Sequence, residues 1–286
     1  MTTDSPSLQA RNQFIEADGR RLAYRRFGAG VPIVLCVRFR GTMDAWDPAF
    51  LDGLASCGFE VIVFDYSGLG LSTGTPTYNP ASLARDALDL IGGLDLSRVV
   101  IGGWSVGGIA AQLVLAHAPE RVSHLVLIAS TPPGELVREG EPLFYELARR
   151  SNTDPEDAVQ LFFEPRSTVS RSAAAASLAR LALRTDDRSP DVPYEWAGRQ
   201  LGDGPRNPMF PADAVLKLLK STELPVLHIG ADHDIAFPVE NWYALNGQLP
   251  SLQLITFPNA GHAPHHQFPR QAAAHIATFA LEGELS

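Results

Sequence analysis

Ser105 stands inside the segment Gly103-Trp104-Ser105-Val106-Gly107, directly after a short apolar run and directly before a predicted helix. A serine on a sharp strand-to-helix turn presents its hydroxyl above a sheet, and small residues two positions away on each side avoid backbone clashes. The start of the following helix places a backbone N–H beside that hydroxyl. This pattern predicts a nucleophile at Ser105. The alternative is a glycine-rich turn without chemistry, and a P-loop is excluded because no lysine follows the glycines.

A serine nucleophile needs a base within reach, and histidine is the usual one. His262 follows a predicted strand over residues 252–257. It should therefore lie at the carboxyl edge of a parallel sheet, where the sites of open α/β folds collect. We predict His262 as the base. His265 is the main rival on the same loop, and His266 stands next to it.

The base in turn needs an acid that orients it. Asp234 follows a predicted strand over residues 225–230, again at the carboxyl edge of the sheet. We predict Asp234 for this role, with Asp232 as the alternative and a loop-capping role as the other interpretation of Asp232. The chain order is then Ser105, the acid, and His262.

The elements that must position these residues alternate between strand and helix. The apolar patterns predict strands over residues 13–17, 21–27, 31–37, 60–64, 99–102, 122–128, 225–230 and 252–257, and helices over 47–56, 81–91, 106–117, 239–249 and 271–281. Such alternation predicts an α/β fold with a mostly parallel, doubly wound sheet and helices on both faces.

One long segment departs from this alternation. Between about residues 133 and 218 the sequence contains no convincing strand, and its patterns predict helices over 143–150, 157–163, 173–183 and 212–219. We therefore predict a core domain of residues 1–132 and 219–286, interrupted by a helical insertion of residues 133–218.

Composition excludes several classes of protein. The chain has 286 residues, of which 45% are hydrophobic, and it can bury a large core; its net charge of −9 argues against nucleic-acid binding. No apolar run reaches the length of a membrane span, and the first residues lack the pattern of a secretory signal, so we expect a cytoplasmic protein that binds no membrane. Cys36 and Cys57 are expected to be reduced thiols, and we expect neither metal nor cofactor.

Taken together, these motifs resemble the α/β-hydrolase superfamily, and its branch of serine esterases, lactonases and haloperoxidase-like enzymes in particular. The similarity runs from about residue 14 to residue 279 and rests on "GWSVG", "ADHDIAFP", "NAGHAPHH" and "FDYSGLGLST", the last similar to a D-x-R-G-x-G-x-S loop. The resemblance implies a catalytic triad, a nucleophile elbow at Ser105 and a helical cap over the site. It also implies an oxyanion hole formed by the backbone N–H groups of Phe39 and Val106.

The chain departs from the family pattern at two places. Val37-Arg38 stands where the family usually has His-Gly, so Arg38 needs an allowed backbone conformation or is strained. Arg38 and Arg40 either face an acidic group of the substrate or are solvated or paired within the protein. The second departure is Ser67, where the family commonly has arginine, which predicts a lost supporting contact.

Three aromatic side chains are candidate walls of the substrate site together with Arg38. Trp104 adjoins the nucleophile, and Phe162 and Phe163 lie in the predicted insertion. Each could instead pack into the core or join the inserted helices to one another.

The function predicted from these residues is hydrolysis of a carboxylic ester or lactone of a small, largely apolar molecule through an acyl-enzyme. The alternatives on the same triad are cofactor-free perhydrolysis and carbon–carbon bond hydrolysis. Halide displacement and epoxide opening are disfavoured, because such relatives have aspartate where Ser105 stands. A non-catalytic binding protein is disfavoured because all three triad residues are present. The only expected partners are a small-molecule substrate and, with oligomeric state left open, a second copy in a homodimer.

Overall fold

The structure is a computed structural model that describes residues 5–150, 154–201 and 212–281. Parts of the predicted insertion, residues 151–153 and 202–211, lie outside the described residues, as do both ends of the predicted core domain. The described helices include none with the length and apolarity that crossing a bilayer requires.

Eight strands form one sheet in the order β1-β2-β4-β3-β5-β6-β7-β8. The strands are β1 (Gln13–Ala17), β2 (Arg20–Gly28), β3 (Val31–Cys36), β4 (Phe59–Phe64), β5 (Val99–Trp104), β6 (Val122–Ile128), β7 (Val226–Ala231) and β8 (Leu252–Phe257). β1 and β2 form an antiparallel hairpin, β2 pairs with β4 antiparallel, and all remaining pairs are parallel. The predicted α/β fold with a mostly parallel sheet is therefore confirmed.

The core helices cover the sheet in pairs. They are α1 (Pro6–Gln9), α2 (Pro48–Ser56), α3 (Pro80–Gly93), α4 (Val106–His117), α10 (Glu240–Tyr243), α11 (Pro264–Gln267) and α12 (Pro269–Leu281). α3 packs on α4 and α2 packs on α12. Every residue of β5 and β7 is buried, as expected of central strands that are covered on both faces.

The ends of two helices follow from their capping residues. Asp47 accepts a hydrogen bond from the N–H of Ala49, and Asn79 accepts one from the N–H of Ala81, so each caps the helix that begins at the following proline. α10 is shorter than the helix predicted over residues 239–249. After α10, the N–H groups of Leu245, Asn246 and Gln248 donate to carbonyls three residues earlier in the chain. Gly247 has a φ of 76°, which ends the helical conformation there.

Between β6 and β7 the described chain contains five helices and no strand. They are α5 (Pro142–Arg149), α6 (Pro155–Phe162), α7 (Thr168–Leu181), α8 (Tyr194–Gln200) and α9 (Ala212–Ser221). α5, α6 and α9 match predicted helices to within two residues at each end. α7 also corresponds to a predicted helix but begins at Thr168, before the predicted start at residue 173. α8 is the one that the pattern did not predict, because seven residues are too few for a clear helical period.

Buried polar contacts attach this helical segment to the core. Asp47 accepts hydrogen bonds from Nε and Nη2 of Arg180 at 2.8 and 2.6 Å and from Ser177 Oγ at 2.7 Å. Ser189 Oγ donates to Asp65 at 2.7 Å. Because these carboxylates are buried, their bonds also satisfy charges that would otherwise be costly to bury.

The environment of Ser67 explains how the chain manages without the arginine that the family commonly has there. Ser67 Oγ donates to Asp86 at 2.7 Å and accepts from Nε of Arg20, also at 2.7 Å. Nη2 of Arg20 forms an ion pair with Asp86 at 2.8 Å. A guanidinium therefore reaches this position from β2 rather than from residue 67.

Candidate active site

Ser105 lies at the sharp turn between β5 and α4, with φ of 60° and ψ of −124°. A non-glycine residue in this conformation costs free energy and persists only where its surroundings impose it. Here the Ser105 N–H donates to the carbonyl of Ile128 at 3.0 Å, and the Ser105 carbonyl accepts from Ser130 Oγ at 2.8 Å and from the N–H of Gly108 at 2.9 Å. These three bonds keep the strained turn in place.

The glycines around Ser105 permit close backbone contacts. A Cβ on Gly103 would lie 2.1 Å from the carbonyl oxygen of Gly107, and a Cβ on Gly107 would lie 2.0 Å from that of Cys36. A Cβ on Gly108 would lie 2.4 Å from Ser130 Oγ. The absence of side chains therefore lets the start of α4 pack directly on the end of β3.

Replacing Gly107 with alanine is expected to separate α4 from β3, because the new methyl group would overlap backbone atoms of Cys36. We expect the free energy of unfolding to fall by about 1–3 kcal/mol, measured by denaturant unfolding. We also expect kcat/KM for ester hydrolysis to fall at least about tenfold. Gly92→Ala is the matched control, since nothing lies within 4 Å of the added Cβ. Equal behaviour of the two variants would contradict this account of Gly107.

The structure brings Ser105, His262 and Asp234 together. Nε2 of His262 lies 2.9 Å from Ser105 Oγ, and Nδ1 lies 2.9 Å from each carboxylate oxygen of Asp234. The carboxylate also accepts the backbone N–H groups of Ala236 and Phe237 at 2.8 and 2.9 Å. Because a carboxylate only accepts, Nδ1 donates to it, and Nε2 is left to accept the serine proton.

Asp232, the alternative acid, does not reach His262. Its Oδ1 accepts the backbone N–H of Ala260 at 3.3 Å and lies 3.7 Å from Nε2 of His233. This arrangement matches the loop-capping interpretation, and the geometry at His262 favours Asp234.

His265 and His266, the rivals to His262, are buried against Trp104. Their rings contact its indole at 4.6 and 4.9 Å between centroids, and Nδ1 of His266 lies 3.2 Å from Ser177 Oγ. Burial lowers the pKa of His266 to about 4 and that of His265 well below its usual range. Both are therefore neutral packing residues near pH 7.

Trp104 contacts the His262 loop and does not line the cavity at Ser105. Its indole Nε1–H donates to the carbonyl oxygen of His262 at 2.7 Å, and the side chain is 1% exposed. The helical segment also contacts this loop, because the N–H of Ala263 donates to the carbonyl of Phe162 at 2.9 Å. The His262 loop is thus anchored from two sides.

The backbone N–H groups of Phe39 and Val106 stand beside this site without a partner. The close contact of Gly107 with the carbonyls of Cys36 and Val37 brings the loop after β3 to the N-terminus of α4. Neither N–H donates a hydrogen bond to any part of the chain that the structure describes. Both are therefore free to donate to an oxygen atom of a ligand.

Of the two alternatives at Arg38, the structure shows an allowed backbone conformation, and the left-handed residue of this loop is Arg40. Arg40 has φ of 57°, whereas Arg38 does not have a positive φ. A bond from the Gly41 N–H to the Arg38 carbonyl at 3.1 Å closes the turn, and Tyr78 Oη accepts the N–H of Arg40 at 2.8 Å. The left-handed residue is therefore the third of the four residues in the turn from Arg38 to Gly41. The absence of the His-Gly pair from the sequence does not indicate this position.

A cavity of about 80 Å³ opens at Ser105. It is lined by Arg38, Phe39, Arg40, Ser105, Phe144, Ala148, Ala158, Leu161, Phe162, Tyr194 and His262. Phe162 is among these residues, and its ring stacks on that of His262 at 6.3 Å between centroids. Sequence reasoning missed Phe144 and Tyr194, because neither stands near a recognisable motif.

A second cavity, of about 460 Å³, adjoins the first and shares five lining residues with it, namely Arg38, Arg40, Ala158, Phe162 and Tyr194. Trp104 and Phe163 line this larger cavity. Phe163 does not line the cavity at Ser105 and packs with Val159 and Ala174.

The described residues contain no group of three or more histidine, cysteine, aspartate or glutamate side chains arranged to hold a metal ion. Cys36 and Cys57 are free thiols, the first buried and the second exposed. Burial raises the pKa of Cys36 to about 12, so this thiol is unreactive near pH 7.

Known proteins resemble this chain over most of its length. Residues 31–269 match the family described as alpha/beta hydrolase fold. The chain is 27% identical over 258 residues to "Putative non-heme bromoperoxidase BpoC" of Mycobacterium tuberculosis, covering 87% of this chain and 93% of that protein. It is 30% identical to the pimeloyl-[acyl-carrier protein] methyl ester esterase of Nitrosomonas europaea, over 61% of this chain and 68% of the esterase.

A solved structure extends the similarity over nearly the whole chain. The alpha/beta hydrolase fold protein from Chitinophaga pinensis is 30% identical and superposes with a TM-score of 0.82, over 97% of this chain and 99% of that one. The sheet order, the position of Ser105 after β5 and the family match lead to the same assignment. This chain belongs to the α/β-hydrolase fold family.

Proposed function

We propose that the protein is a serine hydrolase that cleaves a carboxylic ester or lactone of a small molecule through an acyl-enzyme. The observation that carries the proposal is the chain of contacts from Ser105 Oγ through His262 to Asp234, with 2.9 Å at each step. Similarity to a relative named as a methyl ester esterase supports the choice of an ester.

The first half of the proposed reaction forms the acyl-enzyme. Nε2 of His262 takes the proton of Ser105 Oγ, which attacks the ester carbonyl. The N–H groups of Phe39 and Val106 donate to the oxygen that becomes negative, and Asp234 stabilises the imidazolium. His262 then gives its proton to the departing alkoxide, which leaves as an alcohol.

The second half repeats these steps with water. His262 takes a proton from a water molecule, whose oxygen attacks the acyl carbonyl on Ser105. The tetrahedral intermediate collapses, the Ser105–acyl bond breaks and His262 returns the proton to Ser105 Oγ. The products are a carboxylic acid and the regenerated serine, so the cycle requires no cofactor.

We also propose that the helical segment between β6 and β7 acts as a cap. Phe144 and Ala148 of α5, Leu161 and Phe162 of α6, and Tyr194 of α8 line the cavity at Ser105. An apolar cover of this kind excludes water around the reacting carbonyl and strengthens the hydrogen bonds to the developing charge.

A series of p-nitrophenyl esters tests the proposal. Because the cavity at Ser105 measures about 80 Å³, we expect kcat/KM to be highest for acetate to butyrate and to fall for octanoate and longer chains. The measurement is p-nitrophenolate release, corrected for spontaneous hydrolysis. A folded protein that turned over none of these esters would contradict the proposed function.

Perhydrolysis is the second candidate, and the similarity to a relative named as a bromoperoxidase favours it. In this reaction hydrogen peroxide replaces water in the attack on the acyl-enzyme, and the product is a peroxy acid that oxidises bromide. The assay is bromination of monochlorodimedone with peroxide, bromide and acetate. If bromination proceeds faster than ester hydrolysis and Ser105→Ala abolishes the bromination, perhydrolysis replaces ester hydrolysis as the main proposed reaction.

A further inference from the structure

Arg38 is a cation at the boundary between the two cavities. It lines both the cavity at Ser105 and the larger one beside it, and it is partly exposed there. Its guanidinium lies 5.1 Å from the ring centroid of Trp104 and 4.6 Å from that of Phe162. The charged group is therefore held beside two aromatic rings on the wall of the cavity that contains Ser105.

The described residues provide few hydrogen-bond acceptors for the N–H groups of this guanidinium. Nη1 donates to the carbonyl of Phe39 at 2.7 Å, and Nε is buried without a hydrogen-bond partner. No carboxylate in the described parts of the chain forms an ion pair with it. Burial lowers the pKa of Arg38 to about 10, so the group still carries its charge near pH 7.

The neighbouring charged residues have other roles. Nη1 of Arg40 donates to the carbonyls of Ala148 and Arg150 at 2.6 and 3.1 Å, which ties this loop to α5. Asp44, on the wall of the larger cavity, is paired with Arg25, and Asp191 on the same wall is exposed. Of the two arginines that line the cavity at Ser105, Arg38 is the one with a buried N–H that no described group of the chain accepts.

We propose that the substrate of this hydrolase carries a carboxylate a few atoms from its ester group and that the guanidinium of Arg38 binds it. The inference rests on the proposed function and narrows its substrate class to short carboxylate-bearing esters. Arg38 and Ser105 line the same cavity of about 80 Å³, so a substrate held within that cavity has a short spacer between carboxylate and ester. A guanidinium with free N–H groups matches a carboxylate in both charge and geometry.

Two matched pairs of esters test this proposal. Monomethyl succinate is compared with methyl 4-methylpentanoate, and 3-acetoxypropanoate with 3-methylbutyl acetate. In each pair an isopropyl group replaces the carboxylate with little change of shape. The carboxylate lies on the acyl side of the ester in the first pair and on the alcohol side in the second. We expect kcat/KM to favour the carboxylate ester at least about tenfold in one of the pairs.

Variants then assign the preference to Arg38. The ratio of kcat/KM within a pair should fall about tenfold to a hundredfold in Arg38→Gln and should recover in part in Arg38→Lys. Arg171→Gln removes an exposed arginine of α7 that lines neither cavity, and it should leave the ratio unchanged. The ratio cancels any uniform effect of these changes on the neighbouring Phe39.

Binding separates this proposal from the proposed function. Calorimetry with Ser105→Ala should show that monomethyl succinate binds at least about tenfold more tightly than to the double variant that also carries Arg38→Gln. A neutral preference in both pairs, an unchanged ratio in Arg38→Gln, or equal binding to the two Ser105→Ala proteins would overturn the role of Arg38. If neither these four esters nor the p-nitrophenyl esters are hydrolysed, the proposed function fails, and the calorimetry by itself decides the role of Arg38.

Discussion

Ser105→Ala is expected to lower kcat for ester hydrolysis by about 10⁴- to 10⁶-fold and to abolish covalent labelling by a fluorophosphonate. In the proposed mechanism alanine removes Oγ, the atom that forms the acyl bond, and without it His262 has no hydroxyl to deprotonate. The residual rate should come from the N–H groups of Phe39 and Val106, which still bind the carbonyl oxygen. Stability should change little, since the Ser105 backbone bonds do not involve Oγ.

The labelling result is the sharper of the two measurements. Intact mass spectrometry should show one phosphonyl group on the wild-type protein and none on the variant, with the modified peptide containing Ser105. Ser172→Ala, which removes an exposed hydroxyl of α7, is the control and should label like the wild type. Labelling of Ser105→Ala at another residue would show that the nucleophile lies elsewhere.

Asp234→Asn is expected to lower kcat by about 10⁴-fold while the fold is retained. Oδ1 of Asp234 accepts the N–H groups of Ala236 and Phe237, so the amide oxygen of asparagine should occupy that position. The amide NH₂ would then face Nδ1 of His262 as a donor. Nδ1 would have to accept, the proton would move to Nε2, and His262 could no longer accept the proton of Ser105.

Asp232→Asn is the matched control for this change. It alters a carboxylate two positions away in the same loop, whose Oδ1 accepts the N–H of Ala260 and does not touch His262. Its kcat should stay within a few-fold of the wild type in the same ester assay, whereas Asp234→Asn should be almost inactive. A larger loss of kcat in Asp232→Asn than in Asp234→Asn would show that Asp232, and not Asp234, orients His262.

The turn at Ser105 illustrates what local sequence can determine. The apolar run of β5, the flanking glycines and the apolar start of α4 are neighbours in the chain, and their packing constraints act over a few residues. The positive φ of Ser105 and the close contact of Gly103 with Gly107 follow from that local pattern. The order of strands and helices was predictable for a similar reason, because each element carries its own hydrophobic period.

Choosing among rivals on one loop required the folded chain. Ser105 and His262 are 157 residues apart, and His262 and Asp234 are 28 apart. The sequence placed all of them at the carboxyl edge of the sheet, together with His265 and Asp232. Only the directions of the side chains decide between them, and those depend on contacts such as the bond from Trp104 to the His262 carbonyl.

The sequence by itself determined the sheet, the strained serine and the small set of partners from which a triad could be drawn. Tertiary structure alone decided the walls of the cavity, since Phe144, Phe162 and Tyr194 come from separate helices without a shared motif. It also decided that Trp104 and Phe163 lie outside that cavity and that Arg38 faces into it. The physical reason is that a turn depends on its own backbone, whereas a cavity depends on how distant helices pack over it.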